Sequence, residues 1–288
     1  MILIIGSNGQ LGRQMQMALT AQGKEFAAYD YPDIDISAPD SIRNLMKLTN
    51  PSVVVNCAAY TNVDKAEADE ESAYQINALG PKYLAEACNT IGAEMVHVST
   101  DYVFSGEPIL LKDGQPRPYV EEDICAPSTA YGRTKLEGER FVQEGCDKWY
   151  ILRTAWLYGD GHNFVKTMLR IAETRDTVSV VDDQIGSPTS TVDLAEAICA
   201  LIGSGAYGLY HATCEGQCSW YDFAKKIFEL KNKHITTLPV SSADYSRQYP
   251  AAAPRPKWSV LENTALKQLG KNRFRYWEDS IKEYLQII

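Results

Sequence analysis

The chain opens on a short uninterrupted apolar run, Met1–Ile5, the pattern of a strand buried on both faces of a parallel sheet. Short apolar strands and amphipathic stretches then alternate through the first half. The pattern predicts a helix over Arg13–Gln22 stopped by Gly23, a second strand over Glu25–Asp30, and a helix over Pro39–Thr49 with its proline in the first turn. A third strand follows at Ser52–Cys57, a long helix at Ser72–Ile91 and a fourth strand at Glu94–Ser99. Thr129–Gln143 reads as a helix and Trp149–Ala155 as a fifth strand. Regular strand–helix alternation predicts an α/β fold with a doubly wound parallel sheet of Rossmann type.

Beyond Ala155 the rhythm loosens. Asn163–Glu173 and Thr191–Ile202 carry helical patterns, and Val178–Val181 and Leu209–Ala212 read as short strands. A helix over Trp220–Glu229, a Pro-rich stretch from Pro239 to Pro256 and a terminal helix from about Tyr276 complete the chain. The expected division is a nucleotide-binding domain over residues 1–154 and a smaller, mainly substrate-binding lobe over 155–288. That lobe is expected to be interleaved with the last sheet strands. No internal repeat is present.

Composition narrows the partners. A net charge of −9 gives no general attraction to nucleic acid or to an anionic membrane, so an anionic substrate would need a local set of donors. No apolar run approaches the roughly 18 residues of a membrane span. Met1–Ile5 runs straight into a glycine turn with no basic leader, and the expectation is a cytoplasmic protein. The seven cysteines are odd in number and mostly flanked by apolar residues; Cys214 and Cys218 have no His pair beside them. They read as reduced, small core residues rather than as a zinc site or a disulfide framework.

Three short motifs carry chemistry. In the first, Gly6, Gly9 and Gly12, with Asn8, Gln10 and Leu11 between them, follow a strand and open a helix. Glycine permits the tight turn and the close backbone approach that a dinucleotide pyrophosphate needs at a helix N-terminus. Asp30, ending the second strand, can accept from an adenosine ribose and repels a 2′-phosphate, which leans toward NADH; Arg13 beside the turn leaves NADPH open. Asp35 and Ile36 are candidates near the adenine, and Ala58, Ala59 and Tyr60 near the central phosphates and ribose. In the second motif, Tyr131 and Lys135 stand four apart on a helix, so their side chains adjoin. An ammonium beside a phenol favours the phenolate and makes the pair an acid–base device; Lys135 can also hold a ribose. In the third, Thr100 ends a central strand, where open α/β sheets build their sites, and its hydroxyl can meet the oxygen that Tyr131 protonates. Hydride transfer to or from a carbonyl is the chemistry these groups share.

The segments Ser99–Gly106, Tyr131–Glu139 and Arg153–Gly159 resemble the extended short-chain dehydrogenases/reductases, and within them the dTDP-4-dehydrorhamnose reductase family. Asn163–Met168 and Asp183–Thr189 are similar to that family too, and the likeness runs from Met1 to at least Leu261. The glycine spacing is the variant used in that superfamily. The resemblance implies reduction of the 4-keto group of dTDP-4-dehydro-L-rhamnose with NADPH or NADH. Tyr131 would act as proton donor, Lys135 as its support and Thr100 as the group that orients the carbonyl. On the same ground Trp156 is expected at the sugar; Tyr102 and Asp101, next to Thr100, are candidates to border it. Asn163 and Lys166 are candidates for the nucleotide and Arg255 for the diphosphate. Family members that bind magnesium do so through glutamates at a dimer contact; the corresponding place, near Gln14, is not acidic, so no metal is expected, and a homodimer is the assembly to test. Related nucleotide-sugar dehydratases carry Glu where Tyr102 stands, which argues against dehydration. The alternatives are another nucleotide-sugar 4-epimerase or reductase, or a non-catalytic nucleotide-binding regulatory subunit such as that of methionine adenosyltransferase.

Overall fold

The computed structural model describes residues 1–248 and 253–288; part of the Pro-rich stretch, residues 249–252, lies outside the described residues. Six parallel strands form the central sheet: β1 (Ile2–Ile5), β2 (Phe26–Tyr29), β3 (Val53–Asn56), β4 (Glu94–Thr100), β5 (Trp149–Thr154) and β6 (Gly208–His211). Their spatial order is β6-β5-β4-β3-β1-β2. Strand order reverses between β1 and β3, and the crevice at their carboxyl ends is where a doubly wound sheet receives a ligand.

The apolar strands have two separate destinations because side chains alternate across a sheet. Ile2 and Ile4 of β1 pack with Met15 and Leu19 of α1 (Gln10–Ala21) and with Leu194 and Ile198 of the Thr191–Leu201 helix. Leu3 and Ile5 point the other way, onto Ile42 and Met46 of α2 (Pro39–Thr49) and Leu84 and Cys88 of α3 (Gly80–Ile91). Each such fully buried side chain contributes ~1.5–3 kcal/mol relative to exposure, and a helix layer on each face explains why these strands lack polar alternation.

The expected Ser72–Ile91 helix is not continuous. It divides into a short α-helix (Glu70–Tyr74), a π-turn (Gln75–Leu79) and α3. Pro81 has no N–H to give the Asn77 carbonyl, so the i→i−4 ladder cannot run through. That carbonyl lies against α4 (Ala130–Gly145), where a Cβ on Gly138 would stand 2.1 Å from it. A helix over Val63–Ala68, which the pattern did not announce, precedes this segment.

After β5 the chain leaves the sheet through the Phe164–Ala172 helix and the strand Thr177–Val181, returns to add β6, and then lays a strand over Thr236–Val240 parallel to Thr177–Val181. All seven cysteines are unpaired. Among the described residues, no helix is long and apolar enough to cross a membrane, and no group of His, Cys, Asp and Glu is arranged to hold a metal ion.

Candidate active site

One cleft of about 1280 Å³ lies over the carboxyl ends of β1, β3, β4 and β5. It exceeds the roughly 300–1,000 Å³ typical of a single small-ligand pocket. Its lining includes Gly6, Gly9, Gln10, Leu11, Asp30, Asp35, Ile36, Ala58 and Ala59 at one end. Thr100, Asp101, Tyr102, Tyr131 and Lys135 lie at its floor, and Trp156 and Arg255 on its far side.

The glycine turn is shaped by backbone contacts. Gly6 sits at φ 79°, and a Cβ there would lie 2.5 Å from the Ala58 nitrogen; one on Gly12 would lie 2.1 Å from the Gly6 carbonyl oxygen. The turn therefore presses α1 against β1 and β3. Helix α1 begins after Gly9 with no side-chain cap, leaving its first amides without an intramolecular acceptor at the cleft. Asp30 closes the turn from β2: its carboxylate accepts from the Asn8 N–H at 2.7 Å and from the Tyr31 N–H at 2.8 Å. The cleft also receives Ser99 and Thr154, whose buried hydroxyl oxygens have no hydrogen-bond partner in the chain. A glycine cradle, an uncapped helix N-terminus and unsatisfied buried hydroxyls fit an extended polar anion such as a dinucleotide.

The floor is set by how α4 meets β4. Thr129 caps α4, accepting from the Gly132 N–H at 3.0 Å; Glu67 accepts from the Ala130 N–H at 2.8 Å, and Glu70 pairs with Arg133 through both oxygens. Gly132 passes so close to the Tyr102 carbonyl oxygen that a Cβ would be 2.2 Å away, which brings Tyr131 against Tyr102 edge-on, ring centroids 5.4 Å apart. Deeper in the helix, Glu139 forms a buried ion pair with Arg153 of β5 at 2.7 Å, fastening α4 to the sheet. Breaking either member would leave an uncompensated buried charge.

Lys135 is 1% exposed. Its ammonium donates to the Val98 carbonyl at 2.6 Å and stands 3.4 Å from Nε2 of His97, which is itself fully buried on β4. Burial pulls the Lys135 ammonium down to about 8, with Glu139 opposing. Burial, aided by Lys135, holds His97 well below the usual imidazole range. Asn56 accepts from the Ala58 N–H through Oδ1, so its Nδ2 faces His97 Nδ1 at 3.2 Å and ties the lysine pocket to the loop beside the glycine turn. Tyr131 faces the cleft. Surrounding protein pushes its phenol up to about 12, while the hydrogen-bonded Thr100 hydroxyl opposes. Such a phenol holds its proton until a stronger base forms beside it.

The remaining candidates divide by their contacts. Trp156, at φ 49°, stacks on Trp220 with ring centroids 3.6 Å apart, giving the cleft a flat apolar wall. Arg255 lies in the lining with its guanidinium given to both oxygens of Asp64, at 2.9 and 3.0 Å. Asn163 and Lys166 are not among the lining residues. Asn163 caps the Phe164–Ala172 helix and spends its amide N–H groups on Gln10 and Gly159, while Lys166 donates to Asp160 at 3.1 Å. Asn8, Gly12 and Tyr60 are also outside the lining; the Tyr60 N–H is accepted by Asn77 at 2.8 Å. Residues without a motif of their own complete the site: His97, Asn77, Trp220 and Ser259. Only the apolar-strand position of His97 and the π-turn proline near Asn77 gave any signal in the sequence.

Comparison with known proteins places this geometry. The model of the RmlD substrate binding domain matches residues 1–288. The spore coat polysaccharide biosynthesis protein SpsK of Bacillus subtilis (strain 168) is 41% identical over 286 residues, covering 99% of this chain and 96% of that protein. The crystal structure of a dTDP-4-dehydrorhamnose reductase from Clostridium acetobutylicum ATCC 824 superposes with a TM-score of 0.93 at 47% identity, covering 99% of this chain and 98% of the other. That of dTDP-4-dehydrorhamnose reductase from Bacillus anthracis str. Ames, in complex with NADP, also gives 0.93, at 40% identity over 100% and 99% of the two chains.

Proposed function

This chain belongs to the RmlD substrate binding domain family, and from that premise we propose that it reduces the 4-keto group of dTDP-4-dehydro-L-rhamnose to give dTDP-L-rhamnose, using NADPH or NADH, in the cytoplasm. The observation that carries the reading is a buried floor on which Thr100, Tyr131 and Lys135 converge within the same cleft as the glycine turn. Its relatives include a dTDP-4-dehydrorhamnose reductase in complex with NADP.

In this reading the turn from Gly6 to Gly12 and the α1 N-terminus hold the pyrophosphate. Asp30, Asp35 and Ile36 border the adenosine, Ala58, Ala59 and Tyr60 the central ribose and phosphates, and Lys135 the nicotinamide ribose. The bound dinucleotide supplies a hydride to C4. Tyr131 gives its proton to the oxygen on which negative charge develops, and Lys135 stabilises the phenolate left behind. Thr100 orients the carbonyl, so the protein's work is alignment and proton supply. Residues 1–154 furnish the cofactor side, and residues 155–288 mainly the substrate side, with Trp156, Tyr102 and Arg255 toward the nucleotide sugar. A homodimer is the assembly to test, by sedimentation.

The test is oxidation of NADH and of NADPH by the purified chain with freshly made dTDP-4-dehydro-L-rhamnose, with analysis of the sugar product. Formation of dTDP-L-rhamnose is expected. Dinucleotide binding without turnover would move the chain to a regulatory role, and turnover of a different keto sugar would keep the chemistry and change the substrate.

A further inference from the structure

The Thr100 hydroxyl has one hydrogen, and the groups around it set where that hydrogen goes. Its hydroxyl donates to Asp101 Oδ1 at 2.9 Å, and its oxygen accepts from the Tyr102 N–H at 3.2 Å. The second Asp101 oxygen, Oδ2, accepts from the Ser259 hydroxyl at 2.5 Å. An ionised carboxylate only accepts, so while Asp101 is charged the Thr100 hydrogen is committed to it. Thr100 then faces the cleft as an acceptor alone. While that bond holds, it cannot donate to a carbonyl.

A proton on Asp101 Oδ1 reverses this bond. The carboxylic O–H donates to Thr100, the Tyr102 N–H keeps the other lone pair, and the Thr100 hydrogen is released toward the cleft. Ser259 still donates to Oδ2, so every buried donor and acceptor of the trio is satisfied. We infer that Asp101 is a positioning residue that works as a neutral acid, its proton turning Thr100 into a second donor to the substrate carbonyl oxygen beside Tyr131. This rests on the proposed reductase reading. The Asp101 proton is not consumed: the hydride forms the C–H bond at C4, the Tyr131 O–H breaks as the new O–H forms on the sugar, and solvent restores the phenol.

The surroundings favour the neutral acid. Asp101 is 4% exposed, and burial outweighs the hydrogen bonds from Ser259, Thr100 and the backbone, raising the carboxyl to about 6. The titratable groups that interact with it are the phenols of Tyr131 and Tyr102. Of the nearby cations, Arg255 pairs with Asp64 and interacts with Tyr102, and Lys135 is committed to Val98. A diphosphate entering the cleft would add negative charge and push Asp101 the same way, so the protonated form should persist to higher pH in the substrate complex than in the free enzyme.

The experiment is kcat/KM for keto-sugar reduction from about pH 5 to about pH 8 in wild type, Asp101→Asn and Ser259→Ala, because kcat/KM reports groups of the free enzyme. Wild type should lose about tenfold per pH unit above the Asp101 transition until the residual rate of the ionised form is reached. In Asp101→Asn the amide donates to Thr100 and accepts from Ser259 at every pH. Whatever its absolute rate, its profile over this range should be flat within about twofold. Ser259→Ala removes a bond to the carboxylate and should move the decline to higher pH. Wild-type and Asp101→Asn profiles of the same shape would overturn the inference. Should Asp101→Asn not fold, an unmoved decline in Ser259→Ala would do so. Should the wild type not reduce this sugar at all, the proposed function fails on its own. Infrared titration then decides the Asp101 inference: a protonated-carboxyl band lost near pH 6, missing from Asp101→Asn and retained in Ser259→Ala, supports it, and ionisation complete in the ordinary aspartate range overturns it.

Discussion

The floor of the cleft and its far wall are built by different means. The floor and the glycine turn beside it are built on the carboxyl end of the sheet: Gly6, Ala58 and Thr100 lie at or just beyond the ends of adjacent parallel strands, and the spacing between them follows from the β1, β3 and β4 register. Its tolerances are those of backbone on backbone, as the 2.1 Å approach to the Gly6 carbonyl at Gly12 and the 2.2 Å approach to Tyr102 at Gly132 show. The wall is assembled from side chains far apart in sequence, Trp156 on Trp220 and Asp64 on Arg255, held by stacking and by one partly exposed ion pair. A rigid floor suits chemistry, which needs atoms placed within fractions of an ångström. A wall of side chains suits substrate choice, which can shift without disturbing the reaction.

That contrast can be broken at graded points. The largest effect should come from Gly12→Val, which forces α1 away from the turn: dinucleotide affinity should fall at least about a hundredfold, ~3 kcal/mol, by fluorescence titration, and turnover should vanish with it. Near-normal affinity would show that the close packing at Gly12 is dispensable. Trp220→Ala removes the ring under Trp156. We expect KM for the nucleotide sugar to rise about tenfold with kcat within about threefold, a loss of uniform binding; a collapse of kcat instead would place the stack in the chemistry. Asp64→Asn is the mildest. The pair is 32% and 47% exposed, and surface pairs contribute ~0–1 kcal/mol, so kcat/KM should change less than about fivefold. A larger change would mean that Asp64, which clasps Arg255 and also accepts from the Ala253 N–H at 2.8 Å, orders the wall before substrate arrives.

Legibility in the sequence follows the same divide. The floor could be read because its residues announce themselves locally: an apolar strand, a glycine turn, a Tyr and a Lys one helical turn apart. The strands and helices read from the pattern lie within a few residues of those in the structure, apart from the broken Ser72–Ile91 helix, whereas Val63–Ala68, Thr236–Val240, Ser242–Gln248 and Thr264–Gln268 were not read as elements. The π-turn was missed because helical periodicity does not register one lost hydrogen bond, although Pro81 was its local cause. Ser259 and Trp220 were missed because nothing near them in sequence hints at Asp101 or Trp156. Asn163 and Lys166 looked like ligand residues because a polar pair opens a helix. In the structure that polarity is spent on capping the helix, on Gln10 and on Asp160.

The central claim is that the floor supplies the proton. It is tested most directly by Tyr131→Phe, which deletes the phenol oxygen and leaves the glycine turn and Lys135 in place. Steady-state reduction of dTDP-4-dehydro-L-rhamnose and dinucleotide titration would be measured side by side. The account predicts turnover lower by at least about a hundredfold with dinucleotide affinity within about threefold of wild type. Unchanged turnover would contradict it, because the proton would then come from elsewhere.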